Sequence, residues 1–147
     1  MELRIRRFDE LSVNELYEIL KLRCEVFVVE QSCAYGDIDG LDREALHVAL
    51  WEDGALLACL RIMDRGVESG DVSIGRVVAA RRRQGLGTAI LRAGMAAAVE
   101  RFGAGAIYLE AQTYARGLYE KLGFRPISGE FLLDGIPHLK MRWIKEE

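Results

Sequence analysis

Arg81-Arg82-Arg83-Gln84-Gly85-Leu86-Gly87-Thr88 decides how this chain is read. Three cations and a Gly-x-Gly turn stand between a strand-like stretch, Asp71 to Val78 (DVSIGRVV), and a long Ala-rich one. In the latter Ile90, Leu91, Met95, Ala98, Val99 and Phe102 recur at helical spacing, and Gly103 supplies a stop. The start of a helix offers unpaired backbone N–H groups and the positive end of a dipole, and Gly85 and Gly87 carry no side chain to hold a phosphate away. A ligand carrying a diphosphate is the expected guest, with Arg82, Arg83, Gln84, Gly85, Gly87 and Thr88 around it. A P-loop is excluded, because no Lys-Ser or Lys-Thr pair follows the glycines. The dinucleotide fingerprint stays open but disfavoured: Gly85 and Gly87 match its first two glycines and Glu110 stands near its ribose-binding acid, yet its third glycine position is Ile90.

A family resemblance narrows these readings. Arg82-Arg83-Gln84-Gly85-Leu86-Gly87 resembles the R/Q-x-x-G-x-G/A motif of the GCN5-related N-acetyltransferases (GNAT). Gln112 to Phe124 (QTYARGLYEKLGF) resembles that family's N-x-x-A-x-x-x-Y-x-x-x-G-F signature, with Gln112 in place of the leading Asn. Leu22 to Gln31 (LRCEVFVVEQ), Asp39-Gly40, His47 and Gly135-Ile136-Pro137-His138 look like the ElaA-like branch. The resemblance implies an α/β fold, a GNAT-type single domain over residues 1–147 whose mixed, mostly antiparallel central sheet is splayed at its fourth strand and flanked by helices. It implies acetyl-CoA as co-substrate, with the pyrophosphate on the amides of the glycine turn. Main chain at Val77 and Val78, freed by a bulge, would polarise the thioester carbonyl and pair with the pantetheine arm. Gln112 would offer that arm the family's amide one methylene further out. Tyr119 falls on the family's phenol position.

Composition is compatible with this. The 147 residues, half of them apolar, suit one cored domain. A net charge of −3 argues against a broad polyanion-binding face, so nucleic acid is not an expected partner, and the Arg81 to Arg83 run reads as a focused anion site. No apolar run approaches a membrane span and the first ten residues, MELRIRRFDE, do not read as a signal peptide, so the expected compartment is the cytoplasm. Cys24, Cys33 and Cys59 lack both even number and C-x-x-C spacing, which points to reduced thiols and to no metal site. The acid-rich stretch Tyr35 to Glu44 fails the calcium-loop pattern, since Leu41 and Asp42 stand at its fifth and sixth positions when counted from Asp37. It reads as a solvated polar loop or, bordering the acceptor groove, as a carboxylate lure for a cationic amine.

Punctuation orders the rest. Leu3 to Arg7 is an expected strand, and Ser12-Val13-Asn14-Glu15 a capping box opening a helix toward Phe27. Asp53-Gly54 should join two antiparallel strands, His47 to Trp51 and Leu56 to Met63. Ala106 to Glu110 reads as a buried strand, Ala115 to Leu122 as a short helix capped by Gly123, and Ile127 to Leu132 and His138 to Ile144 as closing strands.

Acetyl transfer from a thioester to an amine needs a neutral amine, donors for the oxyanion and an acid for the thiolate. Tyr119 is the expected acid, a phenol of ordinary pKa near 10, against the competing reading of a core tyrosine. Four residues compete for the base: Glu110, ranked first as a carboxylate costly on an apolar strand unless partnered, then Glu30, with His47 and His138 read rather as packed imidazoles. Three functions stay in contention: an acetyl-CoA-dependent N-acetyltransferase acting on a small-molecule or peptide amine, a non-catalytic CoA-binding module, and a nicotinamide-dependent enzyme. Exposed edge strands, common in this architecture, leave room for a homodimer.

Overall fold

Ser12 opens the first helix as its spacing predicts: its Oγ accepts from the Glu15 amide at 3.0 Å, and Glu15 Oε1 accepts from the Ser12 amide at 2.9 Å. The computed structural model describes residues 1–31, 36–80 and 85–146. Arg81, Arg82, Arg83, Gln84 and Cys33 therefore lie outside the described residues. Helix α1 (Val13–Arg23) continues without a break into a π-helical segment, Cys24–Glu30.

Strands β1 (Glu2–Arg7), β2 (Leu46–Glu52), β3 (Ala55–Met63) and β4 (Val72–Ala79) form an antiparallel meander. Asp53 (φ 51°) and Gly54 (φ 80°) make the two-residue turn between β2 and β3, where Glu52 faces Ala55. Helix α2 (Leu86–Phe102) crosses to β5 (Ala106–Gln112), which runs parallel to β4. Gly103, at φ 62°, ends α2 by donating to the Val99 carbonyl at 3.0 Å. Helix α3 (Arg116–Lys121) precedes β6 (Arg125–Pro126), β7 (Phe131–Leu133) and β8 (Ile136–Ile144). The sheet order is β1-β2-β3-β4-β5-β8-β6, with β7 paired to β8, so among the described residues only the β4/β5 pair is parallel.

Two cores sandwich the sheet. On one face Ile90, Leu91, Ala97 and Ala98 of α2 pack on Val48, Leu60, Ile62 and Ile107; on the other Ile19 and Leu22 of α1 pack on Trp51, Cys59 and Val78. Strand β5 departs from the fully buried reading. Ile107, Leu109 and Ala111 are buried in the larger core, while Glu110 on the alternate face is exposed. The stretch from Ile127 to Leu132 is not one strand either. Two short pieces pair with separate parts of β8, and an Asp134-Gly135 turn makes β7 and β8 a hairpin. No helix among the described residues is long and apolar enough to cross a membrane.

Helix α2 approaches β3 closely at Gly94, where an added Cβ would lie 2.7 Å from Leu60 Cδ2 and 3.0 Å from its Cδ1. Alanine in a helix interior gains about 1 kcal/mol over glycine, but overpacking a core costs about 1–3 kcal/mol. Gly94→Ala should therefore be destabilising in chemical denaturation in spite of its better helix propensity.

Candidate functional site

Strands β4 and β5 pair only at Val72 with Ile107 and Ser73 with Tyr108. Beyond Ser73 they part, and the opening between them is a cavity of about 910 Å³. One wall is β4 from Ile74 through Ala79, and the other is β5 from Tyr108 through Gln112. Since the ladder ends at Ser73, the β5 side of this stretch of β4 is an internal sheet edge, open to a guest that pairs as a strand would.

The β4 wall is bulged. Gly75 faces Arg61 and Val78 faces Cys59, so Arg76 and Val77 together oppose the single residue Leu60. Arg76 sits at φ 53°, a left-handed conformation that costs a residue other than glycine about 1–3 kcal/mol. Val77 and Val78 both line the cavity; of the two, Val77 is in the bulge, while Val78 is back in register opposite Cys59.

At one end of the cavity α2 begins. Gly85, at φ 91°, is its N-cap, and the Ala89 amide donating to the Gly85 carbonyl at 2.9 Å is the first bond of the helix. The amides of Leu86, Gly87 and Thr88 precede that bond and have no acceptor within the helix. Gly87 lines the cavity, and a Cβ there would meet only the flexible Leu118 Cδ2 at 3.3 Å.

Tyr119 also lines the cavity, with its ring 6.0 Å from Phe124 in an edge-on arrangement. It is 8% exposed, and among the described residues its hydroxyl makes no hydrogen bond. Burial pushes the phenol well above its ordinary value, which corrects the expectation of a pKa near 10. A buried thiol of the same protein responds the same way: burial raises Cys59 to about 12.

Glu110, Glu30 and Gln112 all face the cavity. Glu110 accepts from the Tyr108 hydroxyl at 2.8 Å, so this carboxylate is exposed and partnered rather than stranded on an apolar strand. Burial and the Glu110 carboxylate together push the Tyr108 phenol up. The Gln112 amide is engaged by Gln31: each donates its Nε2 to the other's Oε1 at 3.2 Å, tying the π-helical segment to β5. The two histidines separate. His47, on β2, is buried, and its Nε2 donates to the Asp42 carbonyl at 2.9 Å; burial depresses its pKa, and it does not line the cavity. His138 does line it. Its Nδ1 donates to the Ile136 carbonyl at 2.7 Å, which leaves Nε2 as the ring's acceptor; at 8% exposed the ring is packed as well as facing the cavity.

In the acid-rich stretch two carboxylates, Asp37 and Asp42, are buried in ion pairs while Ile38, Asp39, Arg43 and Glu44 stay exposed. Asp37 and Asp42 are each 6% exposed, and they meet Arg23 and Arg61, which are 1% and 2% exposed. Together with Asp39 and Arg76 they close a ring of alternating charge. Arg23 Nε donates to Asp37 Oδ2 at 3.0 Å and its Nη1 to Asp42 Oδ1 at 2.7 Å; Arg61 Nη1 reaches the same Asp42 oxygen at 3.0 Å and its Nη2 reaches Asp39 Oδ2 at 2.6 Å. Arg76 closes the ring, with Nη2 3.3 Å from Asp39 Oδ2 and Nε 2.9 Å from Asp37 Oδ1, the latter an ionic contact without hydrogen-bond alignment. Burying so many charges is tolerable because each guanidinium and carboxylate is paired with groups of opposite charge, although among the described residues Arg61 Nε and Arg76 Nε make no aligned hydrogen bond. Burial works to raise the carboxyls of Asp39 and Asp42, but the guanidinium groups of Arg61 and Arg23 outweigh it and hold both below 3.8. Their contribution to stability is complete above about pH 4 and is lost as pH falls through the folded-state values. Acid titration of the folded fraction should show this loss below pH 4, with a shallower slope in Asp39→Asn.

Residues 12–145 match the family model described as the acetyltransferase (GNAT) domain. The chain belongs to the GNAT family. Within it, the ElaA-like branch is the match: the chain is 37% identical over 137 residues to protein ElaA of Escherichia coli strain K12, covering 90% of each. The crystal structure of Escherichia coli ElaA superposes with a TM-score of 0.89 at 35% identity over 97% of this chain and 99% of that one. An acyl-CoA N-acyltransferase from Pseudomonas aeruginosa superposes with a TM-score of 0.91 at 39% identity and the same coverage. Acyltransferase chemistry is what this membership carries for the GNAT protein. The dinucleotide reading loses its footing in the geometry. Its third glycine serves close helix-to-strand packing, and here that position is Ile90, wholly buried in the core, while Glu110 is bound to Tyr108.

Proposed function

We propose that this GNAT protein is an acetyl-CoA-dependent N-acetyltransferase that moves the acetyl group to a primary amine by direct attack on the thioester. The observation carrying the reading is that one cavity joins the start of α2, the bulged β4 wall, Tyr119 and the Glu110 carboxylate. The diphosphate would lie on the amides from Leu86 to Thr88, which have no acceptor within the helix, with Arg82, Arg83 and Gln84 preceding them in the sequence. The pantetheine arm would pair along the parted edge of β4, near Val77, Val78 and the Gln112 amide.

The amine nitrogen then attacks the carbonyl carbon, and amide N–H groups of the bulge would stabilise the oxyanion. As the C–S bond breaks, Tyr119 would give its proton to the sulfur. The phenol is a weak acid there, but burial that raises a phenol raises a thiol too, so the two stay matched. The proton lost by the amine goes to a base. Glu110 is the first candidate, Glu30 the second, and His138 Nε2 joins them. For a lysine-like amine at neutral pH the deprotonation costs about 4.6 kcal/mol, so such a base is useful.

The buried ring of Tyr119 against Phe124 would suit a CoA-binding module without catalysis equally well. Release of free thiol from acetyl-CoA across a panel of small-molecule and peptide amines separates the two: an enzyme releases thiol with at least one amine, a binder with none. A melting shift with CoA and not with NAD fixes the ligand class. The same proposal places the protein in the cytoplasm, with an amine as its partner rather than nucleic acid or membrane, and leaves a homodimer to be tested by its mass in solution.

A further inference from the structure

The bulge of β4 has a brace that the acetyl-transfer chemistry does not itself require. Arg76 adopts a left-handed backbone conformation without being glycine, so something must hold it there. Its guanidinium is gripped from the loop between α1 and β2. Nη2 donates to the Asp37 carbonyl at 3.1 Å and to Asp39 Oδ2 at 3.3 Å, and Nε lies 2.9 Å from Asp37 Oδ1. The grip is itself anchored, since Asp37 is bound to Arg23 at the end of α1 and Asp39 to Arg61 on β3. Arg61 carries a further tie to Glu68 at 3.2 Å. The ring thus fastens α1, the loop and β3 to the one residue whose backbone starts the bulge.

We propose that Arg76 is a positioning residue: the Arg23, Arg61 and Arg76 ring with Asp37, Asp39 and Asp42 clamps the β4 bulge, so that the main chain of Val77 and Val78 is held toward the reacting thioester. The proposal rests on the reading of that main chain as the oxyanion and pantetheine site. Val77 and Val78 follow Arg76 directly, and their backbone direction is set by its φ and ψ. Without the clamp, relaxation of residue 76 to an ordinary strand conformation would turn the next peptides and lengthen or lose the contacts that matter at the transition state. A donor held in advance costs no reorganisation when charge develops, so the clamp acts on turnover more than on ground-state affinity.

Arg76→Gly tests it cleanly. Glycine adopts φ 53° without strain, so this variant keeps the bulge accessible while removing its clamp. With the best amine of the panel, kcat should fall tenfold or more, while KM for acetyl-CoA moves by less than threefold. The backbone ¹⁵N–¹H signals of Val77 and Val78 should be single and sharp in the wild type and should broaden or split in the variant, with those of α2 and β2 unchanged. Arg76→Lys, which returns one cation to Asp37 and Asp39, should recover part of both. A residue that served stability alone would lower the melting temperature without separating kcat from KM. Should Arg76→Gly fail to fold, Asp39→Asn loosens the same grip from a partly exposed position and is read by the same signals. Unchanged Val77 and Val78 signals together with kcat within twofold of wild type overturn the clamp. If the wild type binds CoA yet acetylates no amine, the proposed function fails, and the clamp stands or falls on the two amide signals alone.

Discussion

Tyr119→Phe is expected to lower turnover by about 10²-fold or more while acetyl-CoA affinity barely moves, because the substitution removes one proton donor and nothing else. The aromatic ring keeps its edge-on contact with Phe124 and its place in the larger core. Among the described residues the hydroxyl has no hydrogen bond to lose, so the folded fraction should match that of the wild type. The pH dependence gives a second signature. A phenol of ordinary pKa would ionise near pH 10 and the rate would fall there, but burial raises Tyr119 above that value and moves the limb upward with it. The wild-type rate should hold through pH 10 so far as Tyr119 controls it. Near-normal turnover by the folded variant with the best amine would return Tyr119 to a purely structural role.

Gly87→Asp should reduce CoA affinity by 10²-fold or more and leave the domain folded. A Cβ at this position meets Leu118 Cδ2 at 3.3 Å, the end of a flexible side chain, so a shift of a few tenths of an ångström accommodates it. A carboxylate in the first turn of α2 even favours the helix, by about 0.3–1 kcal/mol at its positive end. The same charge stands where the proposed diphosphate would meet the amides from Leu86 to Thr88, and two anions cannot share them. Gly87→Asn, of equal size and no charge, divides the loss into steric and electrostatic parts. Calorimetric titration with CoA is the measurement, and an affinity equal to wild type in Gly87→Asp would remove the α2 terminus from the site.

Much of the fold is legible because its signals are local. Ser12 and Glu15, Asp53 and Gly54, and Gly103 each act within four residues, and each forms the cap or turn that its chemistry demands. The strand, glycine turn and helix around Gly85 are likewise a contiguous pattern. The end of the chain is harder to read. Arg125 and Phe131 begin strands of two and three residues, too short for any alternation to show, and their partners on β8 decide them.

The candidate site divides the same way. Gly87, Gln112 and Tyr119 stand in motifs of fixed spacing and can be found by reading along the chain. Glu110 is found there too, but for the wrong reason, since the neighbour that satisfies it is Tyr108 on the same face of β5 rather than a buried partner. His138 closes the Gly135-Ile136-Pro137-His138 stretch, but the carbonyl of Ile136 that orients its ring becomes visible only with the hairpin of β7 and β8.

By itself the sequence determined the elements up to α3, their order and the family, because hydrophobic period, turn residues and short motifs are properties of neighbouring residues. It also carried the charges of Arg23, Asp37, Asp39, Asp42, Arg61 and Arg76, but as an acid-rich loop and scattered arginines with no period to join them. Only the tertiary structure decided that these charges neutralise one another in a buried ring, since α1, the loop, β3 and β4 must first be brought together. The parting of β4 from β5 was decided there as well: strand pairing is a relation between distant segments, and a bulge exists only relative to the strand it faces.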